Sequence, residues 1–405
     1  MTREELYEDC KTSLIKSNCL LIEAATGLGK TKVSIDLANY LISSKWYTDA
    51  KEINILILVA KRVHKQTWRE EIEKWGGINH PTATINICME CYESMHKHQG
   101  ERFDIILLDE VHHVKSEDRM AYLSNISYGY IIGLSATIPK KLKQYFKFRY
   151  HAGIVSCNLT EAIEDAILPE PQILLFPLML DNRQPTETWE INAKEKGPVV
   201  MGDIRDIWKY KKQKTHAILR CTQKQKLIEY NKLIDWEKNR FMMTRNQGLE
   251  RSWLFHAGKR LEYLADIKLP IIKDILKHLS HYRTITFCKS IAQAEEVSDN
   301  CIHSKNADSD QTYCNFNKKK INHISAVNIL NENANLVDCK YAIFCNFSSS
   351  EVCMPQRLGR SLRHKSPVIV FPYYAGTREQ EIVEKYIEGF NKEYIKTIHS
   401  IQEIS

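Results

Sequence analysis

The sequence predicts an α/β protein of two lobes, each built on a parallel sheet, with a helical insertion between them. Three observations carry this. Short strands that are apolar along their whole length alternate with amphipathic helical stretches. The alternation occurs twice, once near each end of the chain. The intervening segment, rich in Lys, Trp and Tyr, has helical spacing instead. Strands apolar on both faces need cover on both faces, which a helix-flanked parallel sheet supplies.

In the first lobe, residues 20–24 read as a buried strand, followed by a Gly-containing turn and a helix over 30–42. Residues 53–60 form a second strand, with a helix running through Trp68 to Trp75. Residues 103–109 and 130–135 complete the pattern. The second lobe repeats it, with strands at 284–288, 341–346 and 368–372 and helices at 291–298 and 379–390. Helical spacing at 223–236 and 253–267 marks the insertion. The expected division is residues 1–158 for lobe 1, 159–281 for the linker and insertion leading into lobe 2, and 282–405 for lobe 2 with its C-terminal helix.

Composition narrows the function classes. A chain of 405 residues is long enough for two or three domains. Its twelve cysteines are too sparse for a disulfide scaffold and read as small core residues, so a reduced, cytoplasmic setting is expected. No apolar run approaches the length of a membrane span, and the first residues are polar. The formal charge of +7 suits a phosphate-backbone partner, and the lysine clusters at 209–214 and 318–320 concentrate it, although exposed lysines are commonly just solvated.

The chemistry is concentrated in three places. The first is the run from Leu21 to Thr31, in which a strand enters a turn holding Gly27 and Gly29 and Lys30-Thr31 opens a helix. Glycines let backbone N–H groups converge on phosphate oxygens, and the helix N-terminus adds favourable partial charge. Ala25, Thr26, Gly27, Leu28, Gly29, Lys30 and Thr31 would cradle the phosphates. Lys30 would reach the β- and γ-phosphates and Thr31 would hold Mg²⁺. Ala24 stands where the general pattern has its first glycine.

The second place is the end of the strand at 105–109, where Asp109 and Glu110 adjoin. Two acids at a buried strand end are costly without a cation nearby. Asp109 would complete the Mg²⁺ environment through water and Glu110 would polarise the attacking water. The third lies far along the chain, at Gln356, Arg360 and Arg363. The two arginines, three apart, share a face if the segment is helical and could stabilise charge on the γ-phosphate once the lobes close.

Taken in order, these motifs resemble the superfamily 2 helicases of the DExH branch, closest to the group of restriction-enzyme helicase subunits, phage branch-migration helicases and XPB-like repair helicases. Residues 25–31 match motif I, 59–68 resemble motif Ia with Ala60 and Thr67 departing, and 109–112 (Asp-Glu-Val-His) match motif II. Ser135-Ala136-Thr137 matches motif III, 285–290 resemble motif IV, and 356–363 match motif VI. The resemblance implies two RecA-like lobes, ATP and Mg²⁺ as cofactors, and a nucleic-acid partner, with DNA favoured over RNA. It also implies that His112 and Gln356 sense the opposite lobe, while Ser135 and Thr137 couple hydrolysis to movement. Residues 330–336 look like motif V, with Asn333 and Asn335 in place of the usual Gly and Asp; Asn335 is the coupling candidate there. No adenine-reading Gln motif precedes Lys30. Partners in replication, repair or defence, and a phage-like origin in a host cytoplasm, follow from the same analogy.

Other constellations have plainer readings. Cys88 and Cys91 with His96 and His98 have a zinc-like look, but one CxxC without a clean second pair is weak. His113 reads as a hydrogen-bonded strand-end residue. Trp208, Tyr210, Trp236 and Trp253 could stack on bases, although at helical spacing they read first as core.

Overall fold

Strand β1 (Cys19–Ala24) carries Leu20, Leu21 and Ile22 with no exposure at all, and the first lobe is assembled around it. The computed structural model describes residues 2–44, 47, 49–191, 198–327, 336–347, 364–388 and 390–404. Helix α1 (Arg3–Ser17) begins at a reciprocal cap, in which Thr2 and Glu5 each bond the other's backbone N–H, and buries Leu6, Cys10 and Leu14. Then follow α2 (Lys30–Ile42), β2 (Glu52–Val59), α3 (Arg62–Lys74), β3 (Thr84–Cys91), β4 (Arg102–Asp109), α4 (Glu117–Ser124), β5 (Ser127–Ser135), α5 (Lys140–Tyr150), β6 (Gly153–Cys157) and α6 (Leu159–Glu164). The six strands form one parallel sheet in the order β3-β2-β4-β5-β1-β6. All C-terminal strand ends therefore lie along one edge, and β4, β5 and β1 are immediate neighbours there.

The second lobe draws on a strand from well before residue 282. Strand β7 (Gln172–Leu178), an apolar run, pairs in parallel with β15 (Val368–Tyr374) on one side and β16 (Ile395–Thr397) on the other. Between β7 and the rest of the lobe come β8 (Glu187–Ile191), β9 (Val200–Asp203), α7 (Ile207–Gln213), β10 (Ala217–Cys221), α8 (Gln223–Thr244) and α9 (Gln247–Asp266). The lobe resumes with α10 (Leu269–His278), β11 (Thr284–Phe287), α11 (Ile291–Val297), β12 (Cys301–Ile302), α12 (Ser309–Asn317), β13 (His323–Ala326) and β14 (Tyr341–Phe344), and α13 (Arg378–Ile387) follows β15. Among the described residues its sheet has seven parallel strands, ordered β12-β13-β11-β14-β15-β7-β16.

The insertion is less purely helical than its spacing suggests. A three-stranded sheet, β8-β10-β9, precedes the two long helices and buries Ala217, Leu219 and Cys221 of its central strand. Helices α8 and α9 then form an antiparallel hairpin. Its seam is polar: Glu237 is buried and accepts from Ser252 Oγ at 2.6 Å and sits 2.8 Å from His256 Nδ1, and Arg260 donates to Asn231 at 2.6 Å. Trp208 and Trp236 are not core residues, being 67% and 55% exposed. Nine of the eleven described cysteines are buried and all eleven are free thiols. No helix among the described residues is long and apolar enough to cross a membrane.

Lobe 2 contains a fully buried ion pair. Lys268, at the start of α10, donates to Glu379 Oε1 at 2.7 Å, and its ammonium lies 4.7 Å from the Phe347 ring centre. The second Glu379 oxygen accepts the Tyr374 N–H. Burial pushes the Glu379 carboxyl above its ordinary pKa against the pull of Lys268. Removing one partner strands the other charge in an apolar interior. Glu379→Ala is expected to cost about 3–5 kcal/mol in urea unfolding, and Lys268→Met with Glu379→Leu to recover most of that loss.

Candidate functional site

Asp109 and Glu110 leave the end of β4 between the ends of β2 and β5, both nearly buried at 6% and 5% exposure. Each is held by its own set of partners. Asp109 Oδ2 accepts the Trp68 indole N–H at 3.0 Å, and the Tyr92 hydroxyl donates to its backbone oxygen at 2.9 Å. Burial, and the nearness of Asp109 and Glu110, raise the Tyr92 pKa well above the ordinary phenol value, so the hydroxyl stays a donor. Glu110 has φ +52°, a left-handed conformation that costs a non-glycine residue about 1–2 kcal/mol. This kink ends the strand and turns the side chain toward β5.

There Ser135, wholly buried at the end of β5, becomes the hub. Its hydroxyl lies 3.1 Å from Glu110 Oε2, 2.9 Å from the Thr137 carbonyl and 2.9 Å from His112 Nδ1, and it accepts the Thr137 N–H at 3.3 Å. A hydroxyl has one proton, so Ser135 donates either to Glu110 or to the Thr137 carbonyl. His112 Nδ1 is also 3.3 Å from Glu110 Oε2. Glu110, His112, Ser135 and Thr137 are thus one hydrogen-bonded group, assembled from two adjacent strand ends.

The neighbouring end of β1 feeds the glycine turn. Gly27 and Gly29 adopt φ +105° and +80°, and Gly29 caps α2 directly before Lys30. A side chain at Gly29 would meet no atom within 4 Å, so what excludes one is backbone conformation rather than space. The Lys30 ammonium donates to the Ala24 carbonyl at 2.7 Å and the Ala25 carbonyl at 3.3 Å. Glu23 links this turn to the Ser135 loop: it accepts the Ile138 N–H at 2.7 Å and pairs with Lys143.

These elements open on a cavity of about 680 Å³. Its walls include the turn at 26–33, Asp109 and Glu110, together with Arg3 and Tyr7 of α1, Thr67 of α3 and Trp75 at its C-terminal end. Among the described residues all of them come from lobe 1. The left-handed glycines, the helix N-terminus and the lysine suit a triphosphate. Thr31 and Asp109 supply the hard oxygen donors that Mg²⁺ prefers. A second concavity lies at the same sheet edge, at the ends of β2 and β3. It is lined by Lys61, Arg62, Lys65 and Lys97 against Glu90 and Glu93, with Lys65 paired to Glu90 at 3.0 Å.

Gln356, Arg360, Arg363 and Asn335 lie outside the described residues, as does Asn333. The zinc-like group does not assemble. Cys88 and Cys91 are three apart on β3 and so face opposite sides of the sheet. His96 Nδ1 is engaged with the Glu93 carbonyl and His98 Nδ1 with Glu101. No metal-holding cluster of His, Cys, Asp and Glu occurs among the described residues. Trp68, Tyr92 and Glu23 are site-supporting residues that sequence reasoning missed. The helical spacing of Trp68 signals burial but not the carboxylate it holds.

Comparison with known proteins agrees with this geometry. Residues 4–140 match the family described as type III restriction enzyme, res subunit. No curated protein matches the chain in sequence. Among solved structures, Saccharomyces cerevisiae Dbp5 bound to RNA and ADP BeF3 is similar with a TM-score of 0.57 at 12% identity, over 98% of this chain and 89% of that one. The ATP-dependent type ISP restriction-modification enzyme LlaBIII bound to DNA also scores 0.57 at 13% identity, over all of this chain and 32% of that one. The Pyrococcus furiosus Hef helicase domain scores 0.50 at 14% identity, over 95% and 97%. The res-subunit match thus covers the first lobe, and the two-lobed RecA-like fold of the whole chain is the one these helicase and restriction-enzyme structures share.

Proposed function

We propose that this protein is an ATP-dependent translocase or helicase acting on DNA, with ATP hydrolysed where the two lobes meet. The observation that carries the reading is the joining of Glu110, His112 and Ser135 beside the phosphate turn, because it ties a water-orienting carboxylate to a loop that can report on the rest of the protein. In this reading Lys30 leaves the Ala24 and Ala25 carbonyls for the β- and γ-phosphate oxygens, and Thr31, with Asp109 acting through water, would hold Mg²⁺, which would supply charge neutralisation. Glu110 orients the water that attacks the γ-phosphorus as the bond to the bridging oxygen breaks, yielding ADP and phosphate. Trp68 keeps Asp109 in place. Gln356, Arg360 and Arg363 complete the site from lobe 2 when the lobes close. The basic concavity at Lys61, Arg62, Lys65 and Lys97 suits contacts with a phosphate backbone.

DNA is favoured because the family match is to a restriction-enzyme subunit and LlaBIII is described bound to DNA. The likeness to an RNA-bound Dbp5 supports a second reading, an RNA-remodelling ATPase. The Asn333 and Asn335 substitutions support a third, a nucleotide-dependent clamp with little turnover. Partners from a replication, repair or defence system, in a cytoplasmic setting, fit the first. Hydrolysis measured with single-stranded, duplex, forked and four-way DNA, and with matched RNA, separates the three. Greater stimulation by DNA supports the proposal, greater stimulation by RNA supports remodelling, and none supports the clamp.

Two substitutions test the site. Lys30→Ala is expected to reduce strand-stimulated hydrolysis by about 100-fold or more while leaving the circular dichroism spectrum unchanged; full activity would sink the phosphate assignment. Arg360→Ala is expected to lower turnover by about 1,000-fold with far less effect on nucleotide affinity. Equal losses in both would argue against a role in the transition state.

A further inference from the structure

The end of the α8–α9 hairpin exposes apolar side chains that the fold does not use. Trp236 is 55% exposed, Met243 83% and Phe255 59%. They are arranged with cations. On α8, Trp236, Arg240 and Met243 recur at i, i+4 and i+7, one stripe of the helix, and the Arg240 guanidinium stacks 4.7 Å from the Trp236 ring centre. On α9, Arg251 and Phe255 repeat the i, i+4 arrangement. Between Trp236 and His256 the cations are Lys238, Arg240, Arg245 and Arg251, against Glu237 and Glu250. Glu237 is buried in the hairpin seam, bonded to Ser252 and next to His256, so the exposed surface is more basic than the sequence suggests.

We infer that this hairpin end is a separate contact for single-stranded nucleic acid, in which Trp236 and Phe255 stack on bases while Arg240 and Arg251 hold the backbone. Aromatic rings, Met and Arg also gather at protein-docking surfaces; what favours a polyanion here is the excess of cations, Lys238, Arg240, Arg245 and Arg251 against Glu250, with Glu237 buried in the seam. Here each ring has an arginine one helical turn away. Rings for base faces interleaved with cations for phosphates are what a sequence-tolerant strand contact requires. The surface lies on the insertion, apart from both lobe sheets, so strand affinity can change there without altering the phosphate site. The inference rests on the nucleic-acid reading proposed above and adds a binding element to it.

The test uses the full chain and a dye-labelled single-stranded oligonucleotide, as DNA and as RNA, with anisotropy followed across a salt series. Trp236→Ala combined with Phe255→Ala is expected to weaken binding about tenfold. Trp236→Phe, which keeps a ring, retains most of the affinity. Arg240→Gln with Arg251→Gln weakens binding and flattens its dependence on salt. Hydrolysis of ATP without any strand stays at the wild-type rate in all of them. Unchanged affinity in the ring-less variant overturns the inference while leaving the proposed function standing. So does an effect confined to self-association in sedimentation, or to binding of anionic lipid vesicles, which would assign the surface to a second copy or to a membrane. If the wild-type chain binds no strand of either kind, the proposed function falls with it.

Discussion

Two carboxylates at the buried end of one strand are the constraint around which the first lobe is organised. Asp109 and Glu110 lose most of their hydration, and isolated charges in such a place would be strongly unfavourable. The fold answers with donors drawn from elements far apart in sequence. The Trp68 indole comes from α3, the Tyr92 hydroxyl from the turn after β3, and the Ser135 hydroxyl from β5. None of these can reach unless β2, β4, β5 and β1 lie side by side in that order, so sheet topology and site chemistry are one requirement. The left-handed conformation of Glu110 belongs to the same account. Its cost is local, and it turns the second carboxylate toward Ser135 rather than along the strand.

Strand β1 links this constraint to the phosphate turn. Its residue Glu23 stands opposite Ser135 in the sheet, and its carboxylate holds the Ile138 N–H in the loop that continues from Ser135. The loop is therefore fixed at both ends, by Glu110 through Ser135 and by the base of the glycine turn through Glu23. A displacement of either carboxylate would be felt by the backbone at 135–138. Such a short, doubly tethered connection is consistent with the proposed coupling of hydrolysis to movement between the lobes.

The elements legible in the sequence were those buried on both faces. The strands expected at 20–24, 53–60, 103–109 and 130–135 lie within a few residues of β1, β2, β4 and β5, and the helix expected at 30–42 has the bounds of α2. Strand β3 is half exposed along its length and gave no apolar run to follow. Strand β7 is apolar, but Gln172 pairs with Val368, and nothing local indicates a partner so distant. The strands of the insertion are short and partly exposed, so the polar, helix-like composition around them dominated. In lobe 1 the sheet places Lys30, Asp109, Glu110, His112 and Ser135, named from the sequence, at neighbouring strand ends, whereas the contacts that hold them were not legible. The structural roles of Trp68, Tyr92 and Glu23 arise only when the sheet brings separate strand ends together.

The insertion shows the opposite relation between pattern and burial. Apolar residues at helical spacing ordinarily mark a buried face, yet α8 places Trp236, Met242 and Met243 in solvent and Glu237 in its seam. The seam explains why. With Glu237, Ser252 and His256 joined across the two helices, the hairpin is held by polar contacts near its end and does not need those apolar side chains for cohesion. Rings left outside such a seam are available to a partner without unfolding anything. Each ring has a cation over its face, Arg240 at 4.7 Å from the Trp236 ring centre and Lys259 at 6.0 Å from that of Phe255, which is how an aromatic surface can persist in water without a partner.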